Sequence, residues 1–475
     1  MEKNIRTRYA PSPTGLLHIG NARSALFSYI FAKKNNGSFV LRIEDTDKER
    51  SKKEYENIIL EDLKWLGINW DEGPYRQSER EDLYKKYIER LLTENKAYYC
   101  YCSPDELEAQ RQDQMSRGIA PKYNRTCSNK PLDKSKPYVI RLRVMDNKKI
   151  KFNDIIRGNI EVNSDTIGDI VIAKNETTPL YNLAVVIDDY EMNITHVIRG
   201  EDHIPNTPKQ ILIAEALGIE HPKYAHLPLV LGTDKSKLSK RHGAVSVTEY
   251  KNMGYLPEAM VNFMAYLGWN PGTEREIYEM EDLIKDFSIE KIQKSGAVFN
   301  IQKLDHINAY YIRKKDIAEL TKLCLPYLEN IKIKEDKYYL ESGEEVTIEY
   351  IQKSIAIYQE RMKRLSEINE LSDHMFKEIN YDKELLRWKN MTDEELSQSL
   401  DIIINTLHKI DNWNLENLEK EIINEAEKTG DRGSILWPMR VALSGKKASA
   451  GPLEIANVLG KEKTIKLIKN AKKKI

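Results

Sequence analysis

A strand–helix–strand unit near the start of the sequence constrains the fold more than any other feature. Residues 8–10 form a short extended run, Pro11 and Pro13 interrupt it, and apolar residues recur at helical spacing from Asn21 onward. After Gly37 the segment SFVLRI has strong β propensity. Two strands joined by one helix over about 35 residues are parallel, and the helix covers one face of the sheet. The sequence therefore predicts an α/β fold built on an open parallel sheet.

A second unit of the same kind follows much later. The segment ITHVIRGEDHIPNTPKQILIAEALG has the pattern of a strand over residues 194–198, a polar turn and a helix. YAHLPLVLG then adds a strand that leads into the loop TDKSKLSKRHG. In open parallel sheets, ligands bind beyond the carboxyl ends of the strands. We therefore expect PSPTGLLHIG and EDTD (residues 44–47) to face a ligand site, with the lysine-rich loop beside it.

The spacing of the two units predicts the domain organisation. Roughly 150 residues lie between the two halves, far more than a normal crossover, so an inserted subdomain is expected. After Tyr311 glycine becomes sparse, β-rich runs disappear and charged helical patterns continue, which predicts an all-helical last third. We expect five segments: 1–99 and 189–240 as the two halves of the sheet domain, 100–188 as the insertion, 241–324 as a small domain, and 325–475 as helical domains.

Composition excludes several classes of protein. The sequence has 74 Lys and Arg residues against 74 Asp and Glu residues, so net charge does not indicate a nucleic-acid partner. It has no charged-then-apolar leader and no run of about 18 apolar residues, which argues against secretion and membrane insertion and favours a cytoplasmic protein. Three of its four cysteines, Cys100, Cys102 and Cys127, lie in the insertion and indicate either a metal site or chance rather than disulfides.

Two features of the expected ligand site favour phosphate. The loop from Gly15 to Gly20 matches neither the dinucleotide motif nor the P-loop, but it places His18 at a helix N-terminus, where free N–H groups favour an anion. The later loop could close on a triphosphate through its cations, Lys235, Lys237, Lys240 and Arg241. Each feature alone has a structural alternative, a packed histidine or a solvated lysine face. Together at one sheet edge they favour a triphosphate site.

Several motifs resemble one known family. HIGN and KLSKR resemble the HIGH and KMSKS signatures of class I aminoacyl-tRNA synthetases, with Asn21 in place of the second histidine. RYAPSPTGLLHIG, RIEDTD, YNLAVVIDD and VIRGEDH resemble the bacterial glutamyl-tRNA synthetases, as do PMRVALSG and PLEIANVLG near the carboxyl end. The resemblance covers nearly the whole chain, and the related glutaminyl enzymes look different at RIEDTD.

The resemblance implies a fold and a reaction. The fold is a class I Rossmann-type catalytic domain with an inserted acceptor-end-binding subdomain, a small domain that touches the tRNA stem, and helical anticodon-binding domains. In the reaction, the carboxylate of L-glutamate attacks the α-phosphorus of ATP in the presence of Mg²⁺, and the 2′-OH at the end of tRNA(Glu) then takes the glutamyl group. The resemblance favours a monomer and leaves open whether tRNA(Gln) is also charged.

The resemblance also implies the residues that bind ATP. His18 and Lys240 are the two groups that contact the triphosphate, and no enzyme nucleophile is needed because this chemistry depends on positioning and charge neutralisation. The full implied set for ATP is His18, Gly20, Asp202, Lys237, Leu238, Ser239, Lys240 and Arg241.

A substrate with two carboxylates needs two strong cationic sites, and arginine binds carboxylates with two parallel hydrogen bonds. By resemblance, Arg8 with Tyr181 holds the side-chain carboxylate and Arg199 holds the main-chain end. The implied glutamate set is Arg8, Ala10, Ser12, Glu44, Tyr181, Arg199 and His203, in which Ser12 and Glu44 seat the ammonium. The structural alternative is that Arg8 and Glu44 simply form an ion pair.

The cysteine spacing allows a structural zinc site. Cys100 and Cys102 form a C-x-C pair, Cys127 follows, and Tyr123 fits the Tyr-x-x-x-Cys spacing by which some relatives complete the site. The alternative is that the cysteines are buried apolar residues and the tyrosine packs against them.

Two other function classes remain open at this stage. One is a small-molecule adenylyltransferase with the same nucleotide fold, for which the helical third would be surplus. The other is a non-catalytic RNA-binding protein that kept the fold. In the helical third, Arg361 of QERMKRL aligns roughly with an arginine that reads the last anticodon base in the family.

Overall fold

The computed structural model describes residues 4–133 and 135–475. They form two compact units. The first comprises the described residues up to Lys251 together with Pro257–Leu304, and the second comprises Asn252–Leu256 and Asp305–Ile475. Within the described ranges, no helix has the length and apolar character needed to cross a membrane.

The strands of the first unit form three sheets. They are β1 (Arg6–Tyr9), β2 (Ser38–Ile43), β3 (Glu72–Arg76), β4 (Ala97–Cys100), β5 (Val139–Leu142), β6 (Lys149–Asp154), β7 (Gly158–Asn163), β8 (Val171–Ala173), β9 (His196–Gly200), β10 (Lys223–Leu227), β11 (Val230–Leu231) and β12 (Ala297–Val298). The main sheet has seven strands in the order β3-β2-β1-β9-β10-β6-β7, while β4-β5-β8 and β11-β12 form smaller sheets.

Ten helices belong to this part of the chain. They are α1 (Ile19–Lys34), α2 (Lys53–Trp65), α3 (Glu81–Thr93), α4 (Pro104–Ser116), α5 (Tyr181–Glu191), α6 (Thr207–Leu217), α7 (Val247–Asn252), α8 (Pro257–Ala265), α9 (Met280–Asp286) and α10 (Ile301–Lys314), of which α7 and α10 each continue past the boundary between the units.

The central strands confirm the predicted α/β core. β1 is parallel to both β2 and β9, and β9 is parallel to β10. β2 is buried along nearly its whole length because helices cover such sheets on both faces. The chain passes from β1 through α1 to β2 on one side, and from β9 through α6 to β10 on the other. The crevice therefore opens where β1 and β9 lie side by side.

The inserted segment contributes to the main sheet as well as to its own. β6 pairs with β10 in parallel, and β7 pairs with β6 in an antiparallel hairpin. Alternate residues of β6 are buried, and its Ile150 and Phe152 pack in the same hydrophobic core as β10. The segment 100–188 is therefore continuous with the main sheet, and the five domain boundaries stay a prediction.

The second unit is mainly helical. Its elements are α11 (Ile317–Cys324), β13 (Ile331–Lys334), β14 (Lys337–Leu340), β15 (Glu345–Val346), α12 (Ile348–Ala356), α13 (Glu367–Phe376), α14 (Asp393–Lys409), α15 (Leu415–Lys428), α16 (Gly433–Ser444), α17 (Pro452–Leu459) and α18 (Lys461–Lys472).

The expectation that β structure ends after Tyr311 is wrong at one place. β13, β14 and β15 form a small antiparallel sheet. Glu335 and Asp336 both have positive φ, 48° and 61°, as a tight hairpin turn requires. The strands escaped sequence analysis because they are only two to four residues long and mostly exposed, although the alternation IKIK in β13 was an available signal.

Candidate active site

His18 caps the first helix of the parallel sheet. Its Nδ1 accepts a hydrogen bond from the Gly20 N–H at 3.0 Å, so the neutral imidazole carries its proton on Nε2. Burial, aided by the charge of Lys237, holds the pKa of His18 below its ordinary value despite a hydrogen bond with the Leu238 backbone. At neutral pH this residue is therefore a neutral Nε2–H donor at a helix N-terminus, which suits a phosphate oxygen.

The backbone after the lysine-rich loop is fixed to the start of α1. The Ile19 N–H donates to the Val245 carbonyl at 2.9 Å, and the Val247 N–H donates to the Leu17 carbonyl at 2.9 Å. These bonds bring the loop to the helix that carries His18, as the sequence predicts.

The loop residues occupy distinct environments. Lys237 Nζ lies 3.0 Å from Asp202 Oδ2, which joins two members of the predicted ATP set. Leu238 is buried, and Arg241 contacts Asp234 at 3.6 Å rather than another member of the set. Ser239 lies in the same loop, next to Lys240, whose side chain is outside the described part of the structure.

Arg8 lies in β1 and pairs with an aspartate that sequence analysis did not single out. Its Nε lies 3.2 Å from Asp189 Oδ1, and the same oxygen accepts a hydrogen bond from Arg42 Nη1 at 2.8 Å. Arg42 Nη2 in turn donates to Glu44 Oε1 at 3.1 Å. All four side chains are buried. Among the described residues Arg8 pairs directly with Asp189, and it belongs to the same buried charge network as Glu44 without a direct ion pair between the two.

The pKa shifts of the two carboxylates reflect this network. Burial alone would raise the pKa of Asp189, but Arg8 and Arg42 outweigh it and hold that pKa below its ordinary value. Burial raises the pKa of Glu44, and the charges of Arg42 and Arg8 only partly oppose this. Asp189 is therefore the firmly ionised partner of both arginines.

Arg199 lies in β9 and has no carboxylate partner among the described residues. Its Nε donates to His226 Nε2 at 3.2 Å, and its Nη2 donates to Thr207 Oγ1 and Gln210 Oε1, each at 2.9 Å. Its Nη1 is buried without a hydrogen-bond partner. Only 6% of Arg199 is exposed, and burial lowers its pKa. A buried cation held by neutral groups, with one N–H unused, is suited to an anionic ligand.

Tyr181 and His203 lie near this arginine. The Tyr181 hydroxyl is 3.1 Å from His203 Nδ1. Burial, with the charge of Glu44, raises the pKa of Tyr181 to about 12, and burial, with the charge of Arg199, lowers the pKa of His203 to about 4. Both side chains are therefore neutral at pH 7 and can act as hydrogen-bonding groups. Their pKa values respond to Arg8 as well, so the structure gathers these predicted residues at one site.

The two small members of the predicted glutamate set lie in the turn after β1. Ala10 is partly buried, whereas Ser12 is exposed and its carbonyl accepts a hydrogen bond from the Thr14 N–H at 2.9 Å. The residues that sequence analysis missed are Arg42, Asp189, Thr207, Gln210 and His226. The available signal was the charged residues inside the apolar runs VLRI and VVIDD, because such residues are seldom buried unless they are paired.

The three cysteines of the insertion lie together with Tyr123. The Tyr123 hydroxyl is 3.3 Å from Cys100 Sγ and 3.4 Å from Cys102 Sγ, and Cys102 Sγ is 3.6 Å from Cys127 Sγ. All three sulfurs lie within 4.8 Å of one another. Tetrahedral zinc with Zn–S bonds of about 2.3 Å has ligand edges of about 3.8 Å. The donor set therefore fits zinc.

In the second unit, Arg361 is exposed and donates from Nη1 to the Ser449 carbonyl. Arg440 donates to the same carbonyl at 2.9 Å. Burial lowers the pKa of Arg440, and the charge of Arg361 lowers it further. Two cations therefore meet at one loop. That Arg361 reads the anticodon stays a prediction.

Comparisons with known proteins agree with this geometry. Residues 4–306 match the family described as tRNA synthetases class I (E and Q), catalytic domain, and residues 319–472 match an anticodon binding domain. The chain is 45% identical to glutamate–tRNA ligase 1 of Caldicellulosiruptor saccharolyticus, over 97% of this chain and 98% of that protein. It is also 45% identical to the glutamate–tRNA ligase of Aquifex aeolicus, over 98% of each.

A solved structure is similar as well. The glutamate–tRNA ligase of Elizabethkingia meningosepticum, determined in complex with its amino acid, has a TM-score of 0.86 and 34% identity, with 99% of each chain covered. The parallel sheet, the histidine-capped helix and the anticodon-binding region define a class I aminoacyl-tRNA synthetase. Within that class, this chain belongs to the glutamate–tRNA ligases.

Proposed function

We propose that the chain activates L-glutamate with ATP to glutamyl-adenylate and transfers the glutamyl group to the 3′ end of tRNA(Glu). The observation that carries this proposal is Arg199, a buried guanidinium without a carboxylate partner in the described chain and with a free Nη1. An anionic amino acid supplies the missing charge. The match to an anticodon binding domain supports tRNA as the acceptor over a small-molecule acceptor.

The glutamate-binding residues divide into two groups. Arg8, oriented by Asp189, and Tyr181 bind the side-chain carboxylate, while Arg199 binds the main-chain end. Glu44 and Ser12 seat the ammonium, and Ala10 and His203 complete the pocket. Because Tyr181 and His203 are neutral, the arginines alone neutralise the negative charges of the substrate carboxylates.

Adenylate formation then needs positioning rather than a nucleophile from the enzyme. An oxygen of the glutamate α-carboxylate attacks the α-phosphorus of ATP, and diphosphate leaves with the electron pair of the broken P–O bond. His18 donates its Nε2–H to a phosphate oxygen, and Lys240 neutralises charge that grows during the transfer. The Mg²⁺ ion that accompanies ATP supplies further charge neutralisation. The 2′-OH of the terminal adenosine then attacks the glutamyl carbonyl, and AMP leaves.

The cysteine cluster is proposed to hold one structural zinc ion through Cys100, Cys102, Cys127 and Tyr123. Burial raises the pKa of the Tyr123 phenol, so its ionisation requires the metal, as metal binding commonly drives ligand deprotonation. The guanidinium of Arg141 lies 4.0 Å from the centre of the Tyr123 ring and favours the phenolate.

The wider setting is proposed from the family. The chain acts as a monomer in the cytoplasm, and it charges tRNA(Glu) and is a candidate for charging tRNA(Gln). The test is pyrophosphate exchange with and without tRNA, together with glutamate charging of both purified tRNAs. Exchange without any charging of tRNA would favour a small-molecule adenylyltransferase, and the absence of both would favour an RNA-binding protein.

A further inference from the structure

A line of three buried side chains runs across adjacent strands behind the glutamate site. Asp154 ends β6, His226 lies in β10 and Arg199 lies in β9. His226 Nδ1 is 2.6 Å from Asp154 Oδ2, and His226 Nε2 is 3.2 Å from Arg199 Nε. Asp154 is 1% exposed and His226 is fully buried. The line therefore connects the inserted segment to the arginine that lacks a carboxylate partner.

The protonation states in this line follow from its chemistry. Arg199 Nε–H can only donate, so His226 Nε2 must be an acceptor and the ring proton must lie on Nδ1. Burial and the charge of Arg199 hold the pKa of His226 below its ordinary value, although Asp154 opposes them. Burial would raise the pKa of Asp154, but its hydrogen bonds with His226 and backbone N–H groups outweigh this and lower it. An ionised aspartate thus faces a neutral Nδ1–H histidine.

The Asp154 carboxylate is itself fixed by the backbone. Oδ1 accepts hydrogen bonds from the N–H groups of Ile156 at 3.0 Å and Arg157 at 2.8 Å, in the turn between β6 and β7. Oδ2 accepts from the His226 N–H at 3.1 Å as well as from its ring. The carboxylate therefore has one orientation, in which Oδ2 is always presented to the imidazole.

We infer that Asp154 and His226 are positioning residues that set the orientation of Arg199 and thereby the affinity for glutamate. The inference rests on the proposed role of Arg199. Asp154 fixes the tautomer of His226, the imidazole Nε2 holds Arg199 Nε, and Thr207 and Gln210 hold Nη2, so that Nη1 is left for the substrate. The charged and titratable groups around His226 are Asp154, Arg199, Arg157, His203 and Tyr224, whose ring stacks on the imidazole. Of these, only Asp154 accepts a hydrogen bond from the ring, and the neutral Thr207 hydroxyl lies 3.1 Å from Nε2.

The variant that tests this is Asp154→Asn. An asparagine that keeps its oxygen on the turn N–H groups presents an NH₂ group to the ring. The imidazole must then accept at Nδ1 and carry its proton on Nε2, where it opposes the Arg199 Nε–H and can donate only to Thr207 Oγ1, 3.1 Å away. Loss of a hydrogen bond to a charged group costs about 1.5–3 kcal/mol, so we expect the KM for glutamate in pyrophosphate exchange, with tRNA present, to rise roughly 10- to 100-fold. The KM for ATP should stay the same.

Asp169→Asn is the matched control. Asp169 is equally buried in the insertion and accepts hydrogen bonds from Tyr98 and Arg125, with no connection to Arg199. The Asp169→Asn variant should lose stability without a change in the KM for glutamate.

A direct readout is the ¹⁵N spectrum of the imidazoles, in which the signal lost in His226→Gln identifies His226 among the nine histidines. The spectrum should show the Nδ1–H tautomer in the natural protein and the Nε2–H tautomer in Asp154→Asn.

Arg199→Lys separates this inference from the proposed function. If Arg199→Lys leaves the KM for glutamate unchanged, Arg199 does not bind the substrate and the proposed role fails. If it raises that KM while Asp154→Asn does not, or if Asp154→Asn raises the KM for ATP equally, only the positioning role is overturned. In the double variant Asp154→Asn/Arg199→Lys, the Asp154→Asn change should cause no further rise in the KM for glutamate, because Asp154 acts through Arg199. Additive effects would contradict the inference.

Discussion

At the scale of single residues, Asp189 determines how the buried charges of the site are arranged. One of its oxygens serves both Arg8 and Arg42, and both arginines keep it ionised. Breaking one partner of a buried pair leaves an uncompensated charge and costs about 3–5 kcal/mol. Arg8 is therefore fixed by a protein carboxylate, whereas Arg199 keeps a buried Nη1 without a hydrogen-bond partner.

Arg8→Ala should lower kcat/KM for glutamate by an amount equivalent to roughly 2–5 kcal/mol of lost transition-state stabilisation, because it leaves the substrate carboxylate and Asp189 without their shared partner. The KM for ATP should stay unchanged. Arg6→Ala is the matched control, since Arg6 lies in the same strand but pairs with Glu72 near the surface. Steady-state pyrophosphate exchange measures both variants. A parallel loss of ATP and glutamate affinity in Arg8→Ala would mean that Arg8 supports the domain rather than the substrate.

Lys240→Ala should slow adenylate formation about 100-fold or more with little change in the KM for glutamate, because the lysine contacts charge that develops in the transition state. The measurement is single-turnover adenylate formation. Lys235→Asn tests whether any loop cation would do. Lys235 lies in the same loop and is exposed, it is outside the ATP set that the resemblance implies, and its φ of 62° is one that asparagine tolerates. Near-normal turnover in Lys240→Ala would remove this lysine from the mechanism.

His196 gives the first unit a specific pH dependence. Burial lowers its pKa to about 4. The unfolded chain, with an ordinary pKa near 6.5, then binds more protons than the folded chain between these values, so the free energy of unfolding falls as pH drops from about 6.5 toward 4. His196→Gln should flatten this part of the profile in urea unfolding measured at several pH values. An unchanged slope would show that other groups cause the pH dependence.

At the scale of elements, hydrophobic periodicity predicted the parallel core, and only the boundaries shifted. α1 begins at Ile19 rather than Asn21, because the His18 cap starts the helix two residues earlier. β9 spans His196–Gly200 rather than 194–198. The resemblance supplied the site residues themselves. The partners of Arg8 and Arg199 could not be predicted, because Asp189 and His226 reach them through the tertiary fold from distant segments, which local pattern does not record.

The proposed zinc site can be tested at this scale, because the cysteine cluster joins β4 to the loop that carries Tyr123 and Cys127. Protein purified without chelator should contain about one zinc per chain by elemental analysis, and Cys127→Ser should lose it along with stability. Cys324→Ser is the control, since Cys324 is buried in α11 and lies outside the cluster. Tyr123→Phe should weaken zinc retention against a chelator. Cys127→Ser with full metal content would contradict the site.

At the scale of the whole molecule, the net charge is balanced, but lysines cluster locally into a basic surface. Lys466 and Lys469 of α18 and Lys473 at its C-cap line a groove with His408. Phosphate contacts by such lysines release counterions, so binding of tRNA should weaken as salt rises. We therefore expect tRNA to contact this face of the second unit, which carries the anticodon binding domain.

Changing all three of these lysines to glutamate should weaken tRNA binding and reduce the slope of log affinity against log salt by about three, at just under one per lost contact. Filter binding at several salt concentrations measures this. Lys332, Lys337 and Lys353 lie in the same unit but outside this groove, so their triple glutamate variant makes the same change in net charge and serves as the control. An unchanged salt slope in the groove variant would show that tRNA does not contact this face.

The hairpin of β6 and β7 determines how this enzyme can be engineered. A designer who cut the chain at residues 100 and 188 to exchange the insertion would also remove two strands of the main sheet and uncover the hydrogen-bonding edge of β10. Exposed edges of this kind promote aggregation. A transplantable cassette would have to leave β6 and β7 behind and exchange only the chain that precedes and follows them.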